Sequence, residues 1–312
     1  MLPVVMPAPL AMKRGSSQGG PRAVTGPQGR LSFLHAFGVR TDVKALAFLR
    51  ETQVLYCVGK HAVIYNTKTG SLQLVPQGPH VQAIMSLAVS PNLEYMALCE
   101  KTTRHSQVTV FETTSGSFKR LRSLSHNEIG SADFTGCCFS ADSNNLLAWA
   151  STPEHSKMVC WTWQKEKAIG WAGIDHEITC ASLHPHDGAQ AISSGPTHIL
   201  TWTFAANGTK PPSEFLKRKL SNYVSHAWLK NGNLVTCQQD GTFLIVEPTL
   251  KFRDKGGFPS DMLCEIHVEG MVPYGEGFIL FGKKGFMAIF EGEQRKKSKG
   301  FMASTGGVKG AG

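Results

Sequence analysis

No stretch of this sequence approaches the roughly 20 consecutive apolar residues that a membrane-spanning helix needs. No membrane partner is therefore expected. Its eight cysteines, Cys57, Cys99, Cys137, Cys138, Cys160, Cys180, Cys237 and Cys264, include no Cys-x-x-Cys pair. Ligands clustered at the short spacing of a zinc site are missing as well, so neither a metal nor a cofactor is expected. Most of the thiols lie inside apolar patterns and read as small buried side chains in a reducing compartment.

Acidic residues are missing from both ends. Residues 1–30 carry Lys13, Arg14, Arg22 and Arg30, and residues 295–312 carry Arg295, Lys296, Lys297, Lys299 and Lys309, with no Asp or Glu in either stretch. The formal net charge of +9 therefore belongs to the ends, and residues 31–294 balance 23 basic against 23 acidic side chains. A nucleic-acid-binding domain keeps its positive charge on the folded surface. Specific nucleic-acid binding is thus not expected, while weak contact with an acidic filament stays open. Residues 1–30, rich in Pro, Gly, Ser and Arg, read as a disordered basic leader. Pro3, Pro7 and Pro9 break the amphipathic helix that a transit peptide would need. Residues 295–312 read as a disordered basic, Gly-rich tail.

Helical spacing of apolar residues never persists beyond two turns. What recurs instead is an apolar strand, a short polar turn and a second apolar strand. The turns are Arg50-Glu51-Thr52, Ser90-Pro91-Asn92, Ser140-Ala141-Asp142-Ser143, His186-Asp187-Gly188, Lys230-Asn231-Gly232 and Tyr274-Gly275-Glu276-Gly277. A third strand follows each, ending at Tyr65, Phe111, Trp161 to Trp163, Trp202 to Phe204, Val246 or Phe290. The interval is the roughly 40–45 residues of a propeller blade. The fold expected over residues 31–294 is an all-β propeller with six recognisable blades, an incomplete seven-bladed ring. Blade three is expected to begin at Phe134 and blade four at Ile178.

Reactive constellations are weak. Gly277 to Lys283 fits the first seven positions of a phosphate-binding loop, but the eighth is Lys284 instead of Ser or Thr, and large apolar residues fill the middle. That segment reads as a buried strand. His184-Pro185-His186-Asp187 reads as turn chemistry, and no strand-turn-helix nucleophile elbow is present. No enzyme is expected. Three basic clusters remain as a candidate interaction surface: Lys119, Arg120 and Arg122; Lys217, Arg218 and Lys219; and Arg295, Lys296 and Lys297. The first two fall at outer strands or loops, where such charge also discourages edge-to-edge aggregation.

The repeat resembles the WD40 class in degenerate form. Asp240-Gly241-Thr242 matches its tight turn, and His80, His126 and His176 stand before first strands. More specifically, Leu34 to Arg40, Ser86 to Asn92, Phe139 to Ser143, Val159 to Lys167 and Asn222-Tyr223-Val224-Ser225-His226-Ala227-Trp228 resemble the cilia- and flagella-associated protein 57 family. The likeness is to its amino-terminal propeller region and runs in order over about residues 32–292. The Trp161-Thr162-Trp163 strand and the Asn222 to Trp228 strand are its most specific elements. The resemblance implies a non-enzymatic axonemal scaffold for inner dynein arm assembly or regulation of ciliary motility. Its implied partners are inner dynein arm components, other ciliary scaffold proteins and tubulin, and its location cytoplasm, cytoskeleton and axoneme. A WD40 adaptor outside cilia is the alternative. Members of that family carry two propellers and a coiled coil, so this sequence reads as a fragment of such a protein, or as a ring whose open edge a partner covers.

Overall fold

A computed structural model describes residues 46–130, 132–205, 210–214, 222–247, 251–257, 267–283 and 287–291, and these all lie within one compact unit spanning Ala36–Gly312. Blade one comprises β1 (Leu46–Arg50), β2 (Gln53–Val58), β3 (His61–Asn66) and β4 (Leu72–Leu74). Blade two comprises β5 (Val81–Val89), β6 (Tyr95–Thr102), β7 (Ser106–Glu112) and β8 (Arg120–Leu124). Blade three is β9 (Gly136–Phe139), β10 (Asn145–Ser151), β11 (Ser156–Thr162) and β12 (Lys167–Ile174). Blade four is β13 (Cys180–His184), β14 (Asp187–Gly195), β15 (His198–Thr203) and β16 (Lys210–Glu214). Blade five is β17 (Tyr223–Trp228), β18 (Leu234–Gln238), β19 (Phe243–Val246) and β20 (Phe252–Gly256). Blade six shows β21 (Val268–Tyr274), β22 (Gly277–Gly282) and β23 (Met287–Phe290) among the described residues.

Every sheet is antiparallel with its strands in sequence order, and the first strands of successive blades lie against one another. That arrangement is a six-bladed propeller, with first strands at the axis and fourth strands at the rim. The described residues contain no α-helix.

The turns between first and second strands in blades two and three share one local chemistry. In blade two the Ser90 hydroxyl accepts the Tyr95 N–H at 2.9 Å, and Asn92 Oδ1 accepts the Glu94 N–H at 3.1 Å. Blade three repeats it with Ser140 and Asn145 at 2.8 Å, and Asp142 and Asn144 at 3.1 Å. Bonds from the Ser140 hydroxyl and then the Asn144 N–H hold the Asp142 carboxyl below its ordinary range. Such side-chain bonds to the turn's own backbone let Leu93 and Ser143 take the left-handed φ of 59° and 62° that the geometry demands.

Apolar side chains on facing sheets form the core between successive blades. Leu55, Ile64, Ile84, Leu98 and Phe111 join blades one and two. Phe134, Leu146, Val159, Trp161 and Trp163 join two and three, and Trp149, Cys160, Leu183 and Trp202 join three and four. Ile192, Ile199, Tyr223, Leu234 and Val246 join four and five, and Phe243, Phe278, Leu280 and Phe290 join five and six. Each fully buried side chain of this size contributes about 1.5–3 kcal/mol. Both indoles of the Trp161-Thr162-Trp163 strand are core: Trp161 lies edge-on to Phe134, and Trp163 donates its ring N–H to the Ser143 carbonyl at 2.8 Å.

Two expected strand starts differ. Phe134 and Ile178 are buried but lie outside β9 and β13. Their backbone N–H groups go to serine hydroxyls of the preceding blade instead of a ladder: Phe134 donates to Ser106 Oγ at 3.0 Å, and Ile178 to Ser151 Oγ at 2.8 Å and Ser156 Oγ at 3.1 Å.

Candidate interaction surface

Of the three basic clusters, Lys119, Arg120 and Arg122 lie within the described residues; Lys217, Arg218, Lys219, Arg295, Lys296 and Lys297 lie outside them. Arg120 and Arg122 stand on β8 at the rim, with Lys119 just before, and all three are exposed. Arg120 Nε donates to Ser123 Oγ at 3.0 Å. Arg122 Nε pairs with Glu166 of blade three at 3.0 Å and also reaches the Gln164 carbonyl at 3.1 Å. The cluster is therefore partly committed to tying one blade's rim to the next, and Lys119 presents the plainest cation.

Two of the polar groups buried inside the propeller, Glu100 and His226, have structural partners. Glu100, 1% exposed on β6, accepts from Thr109 Oγ1 at 2.5 Å and from Gln107 Nε2 at 2.9 Å. His226 in the Asn222 to Trp228 strand engages both ring nitrogens, with Ser182 Oγ at 2.7 Å and Ser194 Oγ at 2.9 Å. Trp228 adds an indole N–H to the same Ser182 oxygen at 3.0 Å. A serine beside a histidine has the outline of an activated nucleophile, yet the group on the second ring nitrogen is a hydroxyl, not a carboxylate that would stabilise an imidazolium. The contacts link blade four to blade five.

His198 is different. It is 1% exposed, neither ring nitrogen has a partner, and burial followed by the neighbouring His176 pulls its pKa down to about 4. The ring lies 5.6 Å from that of His176. No group of three or more His, Cys, Asp or Glu among the described residues is placed to hold a metal. Burial pushes the thiols the other way: Cys160 rises to about 12, and Cys99 and Cys138 are also raised. Thiols held protonated in this way are poor nucleophiles.

The loop-like segment from Gly277 is the strand β22, hydrogen-bonded between β21 and β23. Its backbone N–H groups serve the ladder and cannot cradle a phosphate. His184 and Asp187 shape their turn, the former accepting the His186 N–H at 3.1 Å and the latter the Ala189 N–H at 2.9 Å.

Turns between first and second strands carry Glu51, Glu94, Asp142, Asp187 and Glu276, and the same end also holds Lys68, Lys119, Lys165 and Lys230. At the opposite end the β2–β3 and β6–β7 turns and the β4–β5 connection carry Lys60, His61, His80, Arg104 and His105 without an acid, and the next connection, β8 to β9, carries Glu128 and Asp133. Sequence reading missed this second group because 44 residues separate Lys60 from Arg104 and only blade topology brings their turns to one end.

No protein-family model matches the chain. It is similar to cilia- and flagella-associated protein 57 of Mus musculus, 28% identical over 218 residues, which is 69% of this chain and 17% of that protein. Echinoderm microtubule-associated protein-like 4 of Homo sapiens is 26% identical over 260 residues, 77% of this chain and 26% of the relative. Cilia- and flagella-associated protein 44 of Mus musculus is 25% identical over 228 residues, 70% of this chain and 12% of the relative. The chain thus spans about a quarter or less of the length of these relatives. Among solved structures, a chain in a crystal structure of a mitotic checkpoint complex superposes with a TM-score of 0.61 at 13% identity, covering 90% of this chain and 85% of that one. At that identity the likeness is one of fold. The resemblance to ciliary WD-repeat proteins read from the sequence is borne out, and the propeller with it.

Proposed function

We propose that this chain is a non-enzymatic WD-repeat scaffold of the ciliary or flagellar axoneme, docking inner dynein arm components and other axonemal proteins on its rim and end surfaces. The observation that carries this reading is the similarity to two ciliary relatives over 69% and 70% of the chain. The site chemistry supports it: the buried serine and histidine side chains hold blades four and five together, Glu100 is bonded within its own sheet, and the Cys160 thiol is kept protonated. The Lys119, Arg120 and Arg122 rim is one docking surface of this scaffold.

The test is location. Tagged full chain expressed in ciliated cells is expected along the axoneme and to be lost from axonemes of inner dynein arm mutants. Diffuse cytosolic staining in cells with intact cilia overturns the reading. A second reading, an adaptor on microtubules outside cilia, draws on the similarity to echinoderm microtubule-associated protein-like 4 over 77% of the chain. Recovery of the chain with cytoplasmic microtubules, and not with axonemes, would favour it.

A further inference from the structure

We propose that the basic, acid-free segments 59–61, 75–80 and 102–105 of blades one and two form a docking surface for an extended acidic peptide, a run of glutamates or aspartates in a partner protein. The proposal deepens the scaffold reading and rests on it for the existence of a protein partner.

The groups converge through backbone and side-chain contacts. Lys60 stands exposed in the turn between β2 and β3, and the Gln77 side-chain amide donates to its carbonyl. Lys60, His61, Pro76, Gln77 and Pro79 line a groove of about 350 Å³ where the chain passes from blade one to blade two. Arg120 flanks it, its Nη1 lying 3.4 Å from where a side chain on Gly78 would begin. Next along, the His80 carbonyl accepts the Thr103 N–H at 3.2 Å, which fixes the turn presenting Arg104 and His105. Lys60, His80, Arg104, His105 and Arg120 are all exposed.

Residues 59–61, 75–80 and 102–105 contain no Asp or Glu, and the exposed Glu128 stands on the connection from blade two to blade three. Glu100 is buried and bonded within its sheet, and Asp133 is paired to Lys101 at 2.7 Å. A peptide fits better than a nucleic acid. The same segments contain no Phe, Tyr or Trp on which a base could stack. The proline-walled groove instead suits one extended backbone, with the cations spaced along it.

Fluorescein-labelled deca-glutamate is titrated against the full chain at pH 7 and followed by anisotropy, beside a labelled ten-nucleotide single-stranded DNA. The variant Lys60→Glu/Arg104→Glu is compared with Lys68→Glu/Lys165→Glu, which makes the same charge change at exposed sites in the turns between third and fourth strands. Thermal melts establish that both variants fold. Loss of at least tenfold in peptide affinity in the first variant, with the second within twofold of the parent, supports the proposal. Equal loss in both means attraction to bulk charge and overturns it. Tighter DNA binding that depends on Lys60 and Arg104 overturns it in favour of a nucleic acid. A chain that reaches the axoneme while failing this test loses only the site; one that passes but stays cytosolic loses only the axonemal reading.

Discussion

Gly195, the last residue of β14, leaves no room for a side chain. A Cβ there would lie 2.0 Å from the Glu177 carbonyl oxygen and 2.7 Å from His198 Cε1. The first distance is roughly 1.4 Å inside ordinary carbon–oxygen contact, and its far side is backbone entering blade four, which cannot swing aside as a side-chain tip does. Gly173 on β12 offers a built-in comparison, since its Cβ would meet the Ser156 carbonyl at 3.4 Å. Replacing glycine by alanine at a compatible site gains about 0.4–1 kcal/mol by restricting the unfolded chain. Gly173→Ala should therefore be neutral or mildly stabilising. Gly195→Ala must push the Glu177 backbone away from β14 and should cost on the order of 3 kcal/mol. In a domain of this size each kcal/mol moves Tm by about 2–4 °C, so calorimetry should find Gly195→Ala lower by roughly 6–12 °C. Gly282→Ala in blade six, facing the His267 carbonyl at 2.0 Å, should behave alike. If Gly195→Ala melts with Gly173→Ala, the close approach is not a constraint and the reasoning fails.

Three further outcomes follow from the bonds described. Ser193→Ala strands the buried Trp202 indole N–H, now 2.9 Å from the serine oxygen, and should cost about 1–3 kcal/mol in urea unfolding. Burial holds the His198 pKa near 4, below the unfolded value of about 6.5. The unfolded chain then binds the proton more readily, so stability is whole above pH 6.5 and falls as pH drops toward 4, by roughly 3 kcal/mol in total. Urea midpoints between pH 7.5 and 4 should show this slope, and His198→Phe should flatten it. Arg122→Ala should change stability by less than about 1 kcal/mol in the same assay, because its pair with Glu166 is solvent-exposed.

The first three strands of each blade were legible because alternating apolar residues end at polar turns, as in Leu146 to Ala150 before Met158 to Trp163. Beyond blade one, the rim strands were not. β8 reads Arg-Leu-Arg-Ser-Leu, and β16 holds Pro211 and Pro212. A rim strand pairs on one side alone, so it tolerates charge and proline that an inner strand would reject. The blade starts at Phe134 and Ile178 were overextended because serine hydroxyls some 28 and 22–27 residues earlier capture their N–H groups, and periodicity carries no trace of that. The interaction surface divides the same way. Lys119, Arg120 and Arg122 announce themselves as a run, whereas Lys60 and Arg104 meet only through blade topology.

The first and last described sheets each keep apolar side chains on view: Leu46, Phe48 and Tyr65 on blade one, and Val272, Tyr274, Phe281 and Met287 on blade six. These two greasy faces differ in shape and in residues, so copies sticking to one another would join tail to head, not as a mutual pair. A heterologous contact of that kind has no built-in stop. Crowding this chain should therefore produce graded oligomers or filaments, with light scattering that climbs steadily with concentration and no plateau at a dimer.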